Sequence, residues 1–96
     1  CHTIDKGGPN RVGPNLYNVV AGPKAHIEGF AYSGVLADAG KAGQKWGFEE
    51  LDKFIENPKA YMAGTKMAFA GIKDAKERAD LIKYLHGKSD APVPLP

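Results

Sequence analysis

Glycine and proline interrupt the first third of this chain so often that no regular element can run through it. Gly7, Gly8, Pro9, Gly13, Pro14, Gly22, Pro23 and Gly29 all fall between residues 3 and 31. No period of 2 or 3.6 survives there, so the segment reads as loop and turn. A structureless stretch of about 20 residues is unusual in a compact domain, and something other than backbone ladders must organise it. The chain has 96 residues with twelve glycines and seven prolines, which allows one domain with a thin core. Its single cysteine, Cys1, excludes an internal disulfide. The remaining staples are a metal, a cofactor or a partner chain. A buried cofactor would organise the loop, because apolar loop residues can pack against it.

Composition excludes several classes. With 43% hydrophobic and 25% charged residues, the chain is neither disordered nor a coiled coil. No apolar run approaches the roughly 20 residues of a membrane span. No charged n-region precedes an apolar h-region, so no uncleaved signal peptide is expected. Thirteen basic and eleven acidic residues give a net charge of +2. That charge suits steering toward an acidic partner and is too weak to point to nucleic acid.

Helical signals begin after the first loop. Residues 32–39 read as a short helix with Ser33 as N-cap, closed by Gly40. In residues 48–56, Phe48, Leu51 and Ile55 are spaced for one helical face, widened by Phe54. Glu49 and Glu50 suit its first turn. Asn57-Pro58 then caps and opens another short helix, ending at Tyr61. Residues 63–71 form an apolar loop. Asp74 and Glu77 open the last helix, whose expected inner face is Ala75, Ala79, Ile82 and Leu85, widened by Leu81. Gly87 supplies its stop. Pro92, Pro94 and Pro96 mark residues 89–96 as an extended tail behind a domain over residues 1–88. No repeat or strand pattern is present, so the fold class is all-α with long loops.

The chain opens on Cys1-His2. As a bare dipeptide this leaves several readings: an inert cysteine beside a surface histidine, half of a zinc site, or a nucleophile pair. The zinc reading lacks a second cysteine, and His26 and His86 lack finger spacing. Sequence neighbours seldom face each other as a catalytic pair. The same two residues also end the C-x-x-C-H signature of c-type haem attachment, in which the histidine ligates iron. A second axial ligand would come from Met62, Met67, His26 or His86. Met67 lies in the apolar loop between Gly64 and Gly71, which can present a thioether without straining a helix. Met62 is as easily core filler. His86 sits in a last helical turn, where a cation complements the dipole.

Longer blocks narrow the choice. These are Cys-His-Thr-Ile-Asp-Lys-Gly-Gly at 1–8, Gly-Pro-Asn-Leu at 13–16 and Gly-Phe-Ala-Tyr at 29–32. Glu-Asn-Pro-Lys-Ala-Tyr-Met-Ala-Gly-Thr-Lys-Met follows at 56–67, then Phe-Ala-Gly-Ile-Lys at 69–73 and Glu-Arg-Ala-Asp-Leu-Ile-Lys-Tyr-Leu at 77–85. With these, the chain resembles class I cytochromes c of the mitochondrial and bacterial cytochrome c2 type, over all but its C-terminal tail. The resemblance implies a small cytochrome c fold of short helices and long loops wrapped around one covalent haem c. It implies that Cys1 is the second haem-linking cysteine, His2 the proximal ligand and Met67 the distal one. It further implies that the Pro14 carbonyl accepts the free N–H of His2. Tyr32, Trp46 and Thr65 match hydrogen-bonding positions around the haem propionates, and Phe69 matches an aromatic shielding the haem edge. Lys59, Lys66 and Lys73 match lysines that ring that edge; as ordinary residues they would be solvated surface.

Three departures accompany the likeness. The family's N-terminal helix and first haem cysteine have no counterpart, so residues 75–85 are expected to expose an apolar face for a separate N-terminal peptide or a second chain. A Gly-Arg pair common in the family is Ala21-Gly22 here, leaving Lys24 or His26 as substitute cations near a propionate. Phe54 replaces a common tyrosine. The implied function is a soluble one-electron carrier, not an enzyme, in the bacterial periplasm or, less in keeping with a long 38–45 segment, the mitochondrial intermembrane space. Implied partners are a cytochrome bc1 complex and an oxidase or photosynthetic reaction centre. The alternative is a peroxidase-like enzyme or gas-binding protein with an open sixth site.

Overall fold

The computed structural model describes residues 1–95; Pro96, assigned above to the tail, lies outside the described residues. Four helices follow the long first loop: α1 (Gly34–Lys41), α2 (Phe48–Glu56), α3 (Pro58–Tyr61) and α4 (Ala75–His86). Among the described residues the only β pairing is one isolated antiparallel bridge between Pro23 and Lys45. The all-α expectation holds.

Local chemistry explains each helix. The Ser33 hydroxyl accepts the Leu36 N–H and starts α1. The helix does not stop at Gly40, as the sequence suggested, but runs one residue further to Lys41. Gly40 serves a close approach instead: a Cβ there would lie 2.5 Å from the Lys24 carbonyl oxygen. The Asn57 side chain accepts the Ala60 N–H and Pro58 occupies the first turn of α3. The Asp74 carboxylate accepts the Lys76 N–H at the head of α4. Gly87 ends α4 in a right-handed conformation, φ −73°, not the left-handed one expected of a stop glycine.

α2 packs against both α3 and α4. Val19, Val20, Trp46, Leu51, Phe54, Ile55, Ile82 and Leu85 form the buried core. The inner face of α4 differs from the expected one. Ile82 and Leu85 are buried, but Arg78 is buried with them while Ala75 and Ala79 are exposed. The cause is a fork of hydrogen bonds: Arg78 Nε donates to Asp52 Oδ1 at 2.7 Å, and Nη1 donates to the Ile72 and Lys73 carbonyls. This turns the arginine stem, not the alanines, toward α2. The bare apolar face expected over residues 75–85 is therefore reduced. α2 and the tail residue Val93 cover the core there, and Tyr84 is the large side chain left in solvent.

The residues after α4 are tied to the body of the chain. The Asp90 carboxylate accepts from Lys6, Tyr17 and Asn18, and His86 Nε2 pairs with the Val93 carbonyl. The first loop is organised in part by Asn15, only 7% exposed. Its side-chain amide donates to Thr3 Oγ1 and the Asp5 carbonyl, and its oxygen accepts the Tyr17 N–H. Buried side-chain amides that satisfy several backbone groups do the work of a missing ladder.

Candidate functional site

The start of the chain is held by residues 13–16. Gly13 donates its N–H to the Cys1 carbonyl, and Leu16 donates to the Thr3 carbonyl, both at 2.8 Å. Between these two clamps the His2 ring is fixed in two ways. Nδ1 lies 2.7 Å from the Pro14 carbonyl oxygen and donates to it as the protonated nitrogen. The ring also packs against Gly13, where a Cβ would fall 2.3 Å from Cε1 and 2.6 Å from Nδ1. Glycine is required there by space. An imidazole whose Nδ1–H is engaged presents Nε2 as a lone-pair donor, the tautomer and orientation of a metal-bound histidine. Cys1 beside it is a free, exposed thiol.

A second group is the loop between α3 and α4. Met67 is half-buried against the core, as is Met62, so burial alone does not separate the two. The Thr65 hydroxyl accepts the Met67 N–H, which folds the loop back on itself. The far end is pinned where Ile72 donates to the Ile55 carbonyl at 2.9 Å. Gly71 makes this possible: its φ is +106°, and a Cβ would lie 2.1 Å from the Glu56 carbonyl oxygen. Lys73 Nζ donates to that same carbonyl, and Lys66 Nζ donates to the Ala31 carbonyl. Lys59 lines a shallow cleft with Asn57, Ala68, Phe69 and Ala70, and Phe69 stands 43% exposed beside it.

A third group surrounds Trp46, which is buried and packs on Phe54 with ring centroids 4.9 Å apart. Its backbone pairs with residues 21 and 22. The Tyr32 hydroxyl accepts the Ile27 N–H at 3.0 Å. Burial pushes the Tyr32 phenol above its ordinary value, opposed by that backbone hydrogen bond. Lys24 stands out here. It is only 3% exposed, and its ammonium donates to Gln44 Oε1 and Tyr61 Oη, each at 3.1 Å, while lying over the Trp46 ring. Its burial has no sequence signal, because a lysine between proline and alanine carries no period.

Among the described residues no three His, Cys, Asp or Glu side chains gather as ligands for a bare ion.

No family model matches the chain. A cytochrome c homolog from Bradyrhizobium diazoefficiens is 53% identical over 97 residues, covering all of this chain and 51% of that protein. The chain thus spans about half the length of that relative. A cytochrome c from Trypanosoma brucei brucei is 49% identical over 85 residues, 88% of each. Among solved structures, cytochrome cH from Methylobacterium extorquens superposes with a TM-score of 0.79 at 38% identity, over 92% of this chain and 85% of that one. The resemblance read from the sequence blocks is borne out: the chain belongs to the cytochrome c family.

Proposed function

We propose that this chain shuttles single electrons with iron held between His2 and Met67, in the bacterial periplasm. The observation that carries the reading is the seat of His2: Nδ1 on the Pro14 carbonyl and the ring packed against Gly13. A histidine held so tightly near the first residue has no catalytic partner among its contacts. Its fixed Nε2 is what an iron ligand needs.

The residues fit haem c by their donor chemistry. Cys1 offers an exposed thiol for a thioether bond, directly before the ligand histidine. Met67 offers a soft thioether on a loop braced by Thr65 and pinned at Gly71. Haem c supplies a ferric/ferrous couple. His2 would hold the iron through Nε2, its ring oriented by the hydrogen bond to the Pro14 carbonyl. Met67 favours reduced iron and so raises the potential. Trp46, Tyr32 and Thr65 supply N–H and O–H groups for the propionates. Phe69 would shield the haem, and Lys59, Lys66 and Lys73 would draw acidic redox partners to that face. The partners are a bc1-type complex as donor and an oxidase or photosynthetic reaction centre as acceptor. Among the described residues no helix is long and apolar enough to cross a membrane.

The intact mass of the denatured holoprotein, with voltammetry of the native one, tests this reading. One haem retained after denaturation and a reversible one-electron wave are expected. Haem lost on denaturation, or binding of dioxygen or carbon monoxide to an open position, would contradict it.

A further inference from the structure

The ammonium of Lys24 sits against two oxidisable rings. Nζ lies 4.6 Å from the centroid of Trp46 and 5.2 Å from that of Tyr61, and it donates to Tyr61 Oη at 3.1 Å. Its other acceptor, Gln44 Oε1, is neutral and also at 3.1 Å. Among the described residues Lys24 enters no ion pair, whereas Lys6, Lys53, Arg78 and Lys88 all do. Lys24 is only 3% exposed, so water screens its charge little. Ring faces and neutral oxygens solvate a cation in part, so burying this one costs stability.

Indole and phenol give up a single electron more readily than a phenylalanine ring. Oxidation of Trp46 leaves a ring cation, and oxidation of Tyr61 leaves a phenoxyl radical once the hydroxyl proton departs. Lys24 opposes both. Its charge, 4.6 Å from the indole, repels the ring cation as that forms. At Tyr61 the ammonium is a donor with no lone pair, so it cannot take the phenol's proton. The two rings lie 6.4 Å apart and both pack on Phe54, at 4.9 and 6.1 Å, in one aromatic cluster. Tyr84 is the contrast: it stands 52% exposed, and the lysine over its ring, Lys88, is paired with Asp5.

We propose that Lys24 shields the Trp46–Tyr61 pair from one-electron oxidation and so keeps oxidising equivalents out of the aromatic cluster. The proposal goes beyond the haem c reading and does not need His2 or Met67 to hold iron. In a chain that passes single electrons, as proposed above, an unshielded ring would compete for each oxidising equivalent. The oxidant is an outer-sphere one-electron acceptor. It gains the electron that the ring loses, and at Tyr61 the proton goes to water.

The test exposes ferric holoprotein to flash-generated ruthenium(III) tris-bipyridyl, which returns to ruthenium(II) as it takes an electron. In air the ring radicals take up dioxygen, and peptide mass spectrometry locates the added oxygen. The parent is compared with Lys24→Met, Lys24→Arg and Gln44→Glu, with Tyr84 as internal reference. Gln44→Glu leaves the ammonium in place but sets a carboxylate against it, which separates charge from packing. Relative to Tyr84, oxidation at Trp46 and Tyr61 should rise about tenfold in Lys24→Met and in Gln44→Glu, and stay at the parent level in Lys24→Arg. A rise in Lys24→Met with none in Gln44→Glu means that the core has only loosened, and the proposal fails. No rise in either variant overturns it as well. If Lys24→Met does not fold, Gln44→Glu decides alone. Failure of the haem c reading shows instead as haem lost on denaturation, a separate result.

Discussion

The imidazole of His2 packs against Gly13, too close for any side chain to stand there. Gly13→Ala would place a methyl group 2.3 Å from Cε1. Either the ring leaves the Pro14 carbonyl or the loop moves. The expected cost is about 1–3 kcal/mol, as for overpacking elsewhere. Thermal melting of the holoprotein should show this loss together with a changed axial-ligand spectrum. Gly34→Ala is the control, since nothing lies within 4 Å of a Cβ there and its φ is not left-handed. It should leave both readings near the parent's.

Ala21 sits at φ +62°, between Asn18 at +67° and Ala25 at +55°. Three left-handed non-glycine residues so close together store strain. Ala21→Gly relieves one of them. A gain of about 0.5–1 kcal/mol in unfolding free energy is expected, after the added freedom of the unfolded chain is allowed for. Chemical denaturation at equilibrium measures it. The reverse kind of change, a side chain at position 22, should destabilise, because of the clash with the Asn18 carbonyl.

Asp90 ties the segment after α4 to the first loop. The hydrogen bond from Lys6, then that from Asn18, hold its carboxyl below the usual carboxylate value. A group depressed in the folded state stabilises fully above its unfolded value. That contribution is lost as pH falls through the folded one. The clasp should therefore open on acidification and under high salt, since every member is near the surface. Amide exchange at Asp90, whose N–H donates to Asn18 Oδ1 at 2.9 Å, reports it. Asp90→Asn should remove the acid dependence of that exchange.

Much of the helical layout was legible because it rests on local rules. Ser33, Asn57 and Asp74 each cap the helix they were assigned, and Phe48–Glu56 has the bounds its apolar spacing requires. The misreadings are tertiary. Gly40 looked like a stop but exists for contact with the Lys24 carbonyl, a residue sixteen positions away. Arg78, outside the inner face expected of α4, is buried by acceptors on α2 and the 72–73 turn. Asn15 and Lys24 carry no periodic signal, and their importance lies in contacts that loops make only once folded. The Cys1-His2 pair was ambiguous alone; the surrounding blocks gave it meaning.

Lys59 shares the surface of Phe69, whereas Lys66 and Lys73 each donate to a backbone carbonyl. If this face receives acidic partners, Lys59→Glu should slow bimolecular electron transfer to an anionic acceptor about tenfold at low salt. The gap should close as ionic strength shortens the screening length. Stopped-flow rates across a salt series give both numbers. A salt-independent deficit would place the effect elsewhere.

The absorption spectrum of the ferric holoprotein, in the far red where iron–thioether charge transfer appears, bears most directly on the electron-shuttle account. The band should be present in the parent, retained in Met62→Leu and abolished in Met67→Leu. A band that survives loss of Met67, or disappears with Met62, would contradict the assignment of the axial pair.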